Sequence, residues 1–287
     1  MLTLGIMANA GKPAALEVAA AADAHLRARG LTVRLQHRVA EALGLPGRGL
    51  PDDAVAEAEA VLVLGGDGTI LATARLCASR GTPMLPVHVG RFGFLTNVAP
   101  SDLPAALDAL LAGRYAQEER MMLWCETRRG GTLQDSGLAL NEIVIANGPL
   151  SRVLHLRTSI DGRYVTTYAA DGIIVATPTG STAYSLSAGG PLVHPSLQTL
   201  LVTPICPHTL TARALLVPPS AAVTVVVERD PQDMVRVTID GQLGFPLQAD
   251  DEIHIRRAPH QARFLSVGGS DFYDKLQNKL HWGETLY

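Results

Sequence analysis

Val61-Leu62-Val63-Leu64-Gly65-Gly66-Asp67-Gly68-Thr69 decides how the first part of the chain folds. A short, continuous apolar run reads as a buried strand, the glycines break it with a tight turn, and residues 69–79, ending before Gly81, suit a helix. The same alternation extends on both sides. Residues 2–7 read as a buried strand, residues 13–29 as an Ala-rich helix stopped by Gly30, and residues 31–35 as a strand again. Beyond the motif come an apolar strand at residues 84–89 and a helix at residues 103–111. Strands alternating with helices in this way predict a parallel sheet covered by helices.

Past about residue 120 the pattern changes to short β-branched segments, at residues 138–146, 153–160, 173–177, 222–228, 235–239 and 253–256. Turn signals such as Asp161-Gly162, Pro218-Pro219, Asp230-Pro231 and Asp240-Gly241 separate them. In the tail, residues 271–280 have helical spacing, with Phe272, Leu276 and Leu280 able to share one face that needs an apolar partner. At 287 residues the chain exceeds a typical single domain. The expected fold is α/β: a Rossmann-like parallel-sheet domain over residues 1–119, a β-rich, sandwich-like domain over residues 120–260, and a tail, residues 261–287, packing back on the first domain.

With 24 basic against 27 acidic residues and no long block of like charge, nonspecific nucleic-acid binding is not the expected task. Cys77, Cys125 and Cys206 are an odd number without metal-like spacing, each among apolar neighbours, and read as buried, reduced thiols. The histidines form no zinc pattern. The start of the chain has no basic leader, and no apolar run approaches the roughly 18 residues that span a bilayer, so the expectation is a cytoplasmic protein without a membrane partner.

Three places carry chemistry. The Gly65–Thr69 turn lets backbone approach a ligand, and the helix start behind it suits a polyphosphate. Asp67 repels phosphate unless it holds a metal or accepts a hydroxyl proton, the two roles phosphoryl transfer needs. The plainer reading makes Asp67 the N-cap of the helix. The second place follows Ala170-Asp171-Gly172 and the apolar residues 173–176: Thr177-Pro178-Thr179-Gly180-Ser181-Thr182-Ala183-Tyr184-Ser185-Leu186-Ser187, closed by Gly189-Gly190-Pro191. Seven hydroxyls in eleven positions suit hydrogen bonding to a ribose, an amide or an adenine edge, with a solvated loop as the alternative. The third is Asn141-Glu142 ahead of an apolar strand, an amide and a carboxylate able to read ribose hydroxyls or adenine, or simply a polar strand end.

These stretches, with Cys206-Pro207-His208, Asp240-Gly241-Gln242 and Lys279-Leu280-His281-Trp282-Gly283, resemble the NAD kinase family in order and from end to end. The glycine motif alone is shared with diacylglycerol kinases and phosphofructokinases; the block 177–191 together with Asn141-Glu142 is specific. The resemblance implies transfer of a phosphoryl group from ATP or polyphosphate to the adenosine-ribose 2′-hydroxyl of NAD. It implies Asp67 as proton acceptor at that hydroxyl, with Gly68 and Phe94 against the dinucleotide and Asn141 and Glu142 on the adenosine. Asp171 would contact the other nucleoside, and Thr182, Ala183, Tyr184, Ser185, Leu186 and Ser187 would line the pocket. Arg152, Ala169 and Gln242 fall at further contact positions.

Mg2+ is expected with the donor, held mainly by the phosphates with few protein ligands. Homodimers or homotetramers are implied, with the surroundings of Arg152 completed by a neighbouring subunit. His88 stands where the family usually has Asn. The competing functions are a lipid kinase of the diacylglycerol kinase type, against which the polar 177–187 block and the lack of a basic amphipathic helix weigh, and a noncatalytic NAD(P)-sensing protein on the same scaffold.

Overall fold

The computed structural model describes residues 2–90, 93–96, 98–148, 153–228, 235–268 and 271–280. Arg152 lies outside the described residues, as do His281, Trp282 and Gly283. The chain divides into two compact units: one takes in the chain up to Glu119 and resumes at Ala262, the other is Arg120–Gln261.

The first unit opens with β1 (Thr3–Ala8), α1 (Pro13–Ala28), β2 (Thr32–Gln36), α2 (His37–Ala42), β3 (Gly49–Leu50) and α3 (Asp52–Ala56). It continues with β4 (Ala60–Gly65), α4 (Asp67–Cys77), β5 (Pro83–His88) and α5 (Leu103–Leu111). The strands form the parallel sheet expected from the alternation, in the order β5-β4-β1-β2-β3. Pro13, at the start of α1, loses no hydrogen bond there because the first N–H groups of a helix have no partner within it. Ala15, Ala19, Ala22 and Leu26 then bury one stripe of α1 in a core shared with Leu4, Ile6, Leu62, Leu64, Leu85 and Leu107. Parallel register sets Ala8 beside Leu64 and Gly65 beside His88, so the loops leaving β1, β4 and β5 emerge along one edge of the sheet. In α/β sheets that edge is where ligands bind.

The second unit contains β6 (Ala116–Arg129), β7 (Thr132–Ala139), β8 (Glu142–Ala146), β9 (Leu154–Ile160), β10 (Arg163–Ala170) and β11 (Gly172–Ala176). After α6 (Tyr184–Ser187) follow β12 (Leu200–Ile205), β13 (Leu215–Val217), β14 (Val223–Glu228), β15 (Arg236–Ile239), β16 (Leu243–Pro246) and β17 (Glu252–Ser266). One sheet runs β10-β9-β14-β17 and the other β13-β12-β11-β8-β15-β16, with antiparallel pairing. The period of two in a strand assigns its faces. Ile143 and Ile145 of β8 and Ile173 and Val175 of β11 join Leu156, Val223, Val225, Ile253 and Ile255 of the other sheet in one core. Val144, Ile174 and Ala176 turn the opposite way, onto Val193 and Leu201.

In the first unit, the end of β17 pairs through Arg263 and Phe264 with β5, and the chain then forms α7 (Phe272–Leu280). Leu276 is buried and Phe272 half-buried, but Leu280 is exposed, so the single apolar face expected of the tail is shorter than its spacing suggested. Cys206 is exposed too, contrary to expectation: it follows β12 in a left-handed turn, φ 45°, that carries its side chain off the sheet. Burial raises the thiols of Cys77 and Cys125 to about 12, which leaves both inert at neutral pH.

Candidate active site

Asp67 sits where β4 gives way to α4. The cap position belongs to Gly66, which contributes no side-chain bond, and Asp67 is the first helical residue. This overturns the capping alternative: the Asp67 carboxylate turns away from its own helix to accept two N–H groups of the loop after β5, from Phe94 at 3.2 Å and Leu95 at 3.4 Å. Each oxygen takes one long bond, so each keeps a lone pair for another donor. Gly93 has no side chain because a Cβ there would overlap the Asp67 carboxylate. Buried Thr96 ties the loop down, its hydroxyl accepting the Gly93 N–H at 3.1 Å. Asp67 is half-buried and Gly68 exposed, so this edge of the unit is open to a ligand. His88, at the end of β5, gives its backbone N–H to the Val98 carbonyl at 3.1 Å.

In the second unit the segment expected as one strand over residues 138–146 is broken at Leu140-Asn141, and the cause is Asp240. Its carboxylate accepts the N–H groups of Leu140 (3.0 Å), Asn141 (2.8 Å) and Glu142 (3.2 Å), which takes the place of ladder bonds and forces a turn between β7 and β8. Asp240 has φ 50°, a conformation that Asp tolerates in the β15–β16 turn it shares with Gln242, which is exposed. On the other side Gly180 lies on the Asn141 backbone so closely that a Cβ would strike main-chain atoms. The Asn141 carbonyl takes the Thr177 N–H at 2.8 Å.

Glu142 is the electrostatic anomaly of this unit. Burial, then the nearby Asp240 charge, pushes its carboxyl up to about 7, against a backbone hydrogen bond from Tyr184 that lowers it. Among the described residues its Oε2 is buried without a hydrogen-bond partner. Native proteins pair nearly all such atoms, with protein groups, ordered water or a bound group.

The hydroxyl-rich block divides in two. Thr177 donates to the Leu140 carbonyl at 2.6 Å and accepts the Gly180 N–H; Ser181 bonds both the N–H and the carbonyl of Val193; Ser185 pairs with Thr203 at 3.1 Å. These buried hydroxyls brace the turn, and Ser185, expected to line the pocket, spends its hydroxyl on Thr203. Tyr184, 45% exposed, and Ser187 face outward, with Thr182, Ala183 and Leu186 half-buried between them.

Register sets Glu142 and Asp171, which the resemblance assigns to the adenosine and to the other nucleoside, at opposite ends of one strand. Glu142 pairs with Ala176 at one end of β11, whereas Asp171 precedes Gly172, which pairs with Ala146 at the other end. Five strand residues put about 13 Å between those ends. Asp171 and Ala169 keep company instead with the 205–208 turn, through Asp171 N–H to the Ile205 carbonyl at 3.0 Å and His208 N–H to the Ala169 carbonyl at 2.8 Å. The sequence assigns Asp240 and Gly93 no site role of their own, and Thr177 reads only as one of the seven hydroxyls of its block. The signals available were a turn-type Asp-Gly at 240, a glycine in Gly90-Arg91-Phe92-Gly93-Phe94-Leu95, and a Thr ahead of a Pro.

A model of the ATP-NAD kinase N-terminal domain matches residues 4–115, and one of the ATP-NAD kinase C-terminal domain matches residues 140–267. An NAD kinase of Geotalea daltonii is 42% identical over 284 residues, 99% of this chain and 100% of its own. An NAD kinase of Moorella thermoacetica is 46% identical over 288 residues, covering 99% of this chain and 90% of its own. Among solved structures, yeast NADH kinase complexed with NADH matches 100% of this chain and 89% of its own with a TM-score of 0.90 at 26% identity. An NAD kinase from Archaeoglobus fulgidus in complex with ATP, at 24% identity and a TM-score of 0.77, covers 98% of this chain and 99% of its own and shares the fold.

Proposed function

The chain belongs to the NAD kinase family, and from that premise we propose that it transfers the terminal phosphoryl group of ATP to the adenosine-ribose 2′-hydroxyl of NAD, with Asp67 accepting the hydroxyl proton. The observation that carries the residue assignment is the Asp67 carboxylate, which caps nothing and is held by the Phe94 and Leu95 N–H groups at the open edge of a parallel sheet. A ribose hydroxyl is a poor nucleophile at neutral pH. A carboxylate bonded to it orients the oxygen and takes the proton as the P–O bond forms, a contribution of about 10² to 10⁴ in rate.

Asn141 and Glu142 hold the adenosine in this reading, a ribose hydroxyl or the adenine amino group supplying the partner that Glu142 Oε2 lacks. Tyr184 and Ser187 offer the outward surface of the hydroxyl block to the dinucleotide. Mg2+ enters with the donor. The ion would be carried largely by the triphosphate's own oxygens, neutralising charge during transfer.

The protein works as a homodimer or homotetramer in the cytoplasm, supplying NADP. Support for assembly comes from the exposed Leu215 and Leu216 on the edge strand β13 and from Asp171 and Ala169 standing at the far end of β11 from Glu142, where another subunit could use them. Among the described residues no helix is long and apolar enough to cross a membrane. The test is ATP-dependent conversion of NAD to NADP by the purified protein, run also with NADH and with polyphosphate. Formation of NADP supports the reading, and no product from either donor would reject it.

A further inference from the structure

Lys275 of α7 is 6% exposed, and burying an ammonium group is costly unless it is bonded. Its Nζ donates to the Phe94 carbonyl at 3.1 Å. That carbonyl and the Leu95 N–H belong to one peptide group, whose N–H end points at Asp67 Oδ1, while the Phe94 N–H points at Oδ2. A cation on the carbonyl end polarises the peptide and strengthens the donor at its other end. Lys279 follows one turn later on the same face of α7, its Nζ 5.6 Å from the centroid of the Phe94 ring. Two lysines four residues apart therefore grip Phe94, one by its peptide and one by its ring. The absent side chain of Gly93 leaves the loop free to be drawn against the carboxylate.

We propose that Lys275 is a positioning residue for phosphoryl transfer: acting through the Phe94 carbonyl, it holds residues 93–95 on Asp67 and so keeps that carboxylate aimed at the acceptor hydroxyl. The proposal rests on the reading of Asp67 as proton acceptor. Because Lys275 acts through the Phe94 carbonyl, its removal is expected to lower turnover more than NAD binding.

The experiment is a double-mutant cycle on the full chain with Lys275→Met and Asp67→Asn, following kcat and KM for NAD and the thermal midpoint of each variant. Lys275→Met is expected to fold, to lose about tenfold in kcat with KM within about twofold, and to cost less than about twofold in the Asp67→Asn background, because its effect passes through that carboxylate. Lys275→Arg, which keeps a cationic donor, recovers most of the loss. Should the methionine variant not fold, Lys275→Gln is read in its place: a kcat loss at constant KM supports the proposal and unchanged kinetics overturns it. An unchanged kcat in Lys275→Met, or an equal tenfold drop in both backgrounds, overturns it as well. Near-normal turnover in Asp67→Asn alone would instead remove the reading on which it rests, and the proposal with it.

Discussion

The Asp240 carboxylate accepts the backbone N–H of Asn141 at 2.8 Å, across 99 positions of sequence, and with the same two oxygens it also takes the N–H groups of Leu140 and Glu142. One buried side chain thus shapes the turn that presents Asn141 and Glu142, the pair proposed to hold the adenosine. Asp240→Asn keeps the size and tolerates the positive φ but offers one acceptor oxygen and brings an NH2 group against N–H donors. It should lower unfolding stability by about 2 to 4 kcal/mol in denaturant titration and raise KM for NAD by roughly tenfold, with kcat within about twofold. Unchanged KM would separate the turn from substrate binding.

The carboxyl of Glu142, pushed up to about 7 by burial and by Asp240, ties stability to pH. Below about pH 4.5 the folded and unfolded chains both carry its proton. Between there and about pH 7 the unfolded chain releases the proton while the folded chain retains it, so stability falls as pH rises, by about 3 kcal/mol in all. Glutamine imitates the protonated form at every pH. Glu142→Gln should therefore match the parent near pH 4.5 and exceed its stability by up to about 3 kcal/mol at pH 8. A constant difference across that range, measured by thermal or urea unfolding, would contradict the assignment.

At Gly93 stability and activity should part company. The atoms nearest to a methyl group there all belong to the Asp67 carboxylate, which can swing aside at a cost of about 1 kcal/mol. Once displaced, the carboxylate no longer lies under the Phe94 and Leu95 N–H groups. Gly93→Ala should unfold within a few degrees of the parent and lose at least about tenfold in kcat. Parent-like turnover would show that the Asp67 placement is not critical.

Much of the fold could be read in advance because its signals are local. The apolar run 61–64 before Gly65-Gly66 marks a strand and turn, the alanines of α1 recur at helical spacing, and β-branched segments between turns mark the second unit. The site was less legible because its geometry depends on distant partners. Asp67 reads equally well as a cap until residues 27 and 28 positions away supply its donors. The hydroxyls of residues 177–187 look uniformly available, yet the chain trace turns Thr177, Ser181 and Ser185 inward to satisfy buried backbone and Thr203. Asp171 and Glu142 are separated by the antiparallel register of β8 and β11, which no local pattern encodes. Lys275 looks like an ordinary solvated helix charge, and only the packing of α7 brings it to Phe94.

The central claim is that Asp67 takes the proton of the reacting hydroxyl, and Asp67→Asn tests it most directly. Asparagine keeps the size and one of the two acceptor oxygens, but cannot accept that proton. The measurement is kcat for ATP-dependent NADP formation beside the dissociation constant for NAD. The expected result is a folded protein that binds NAD within a few-fold of the parent and has lost at least about a hundredfold in turnover. Near-normal turnover in the folded variant would contradict the account and place the proton acceptor elsewhere.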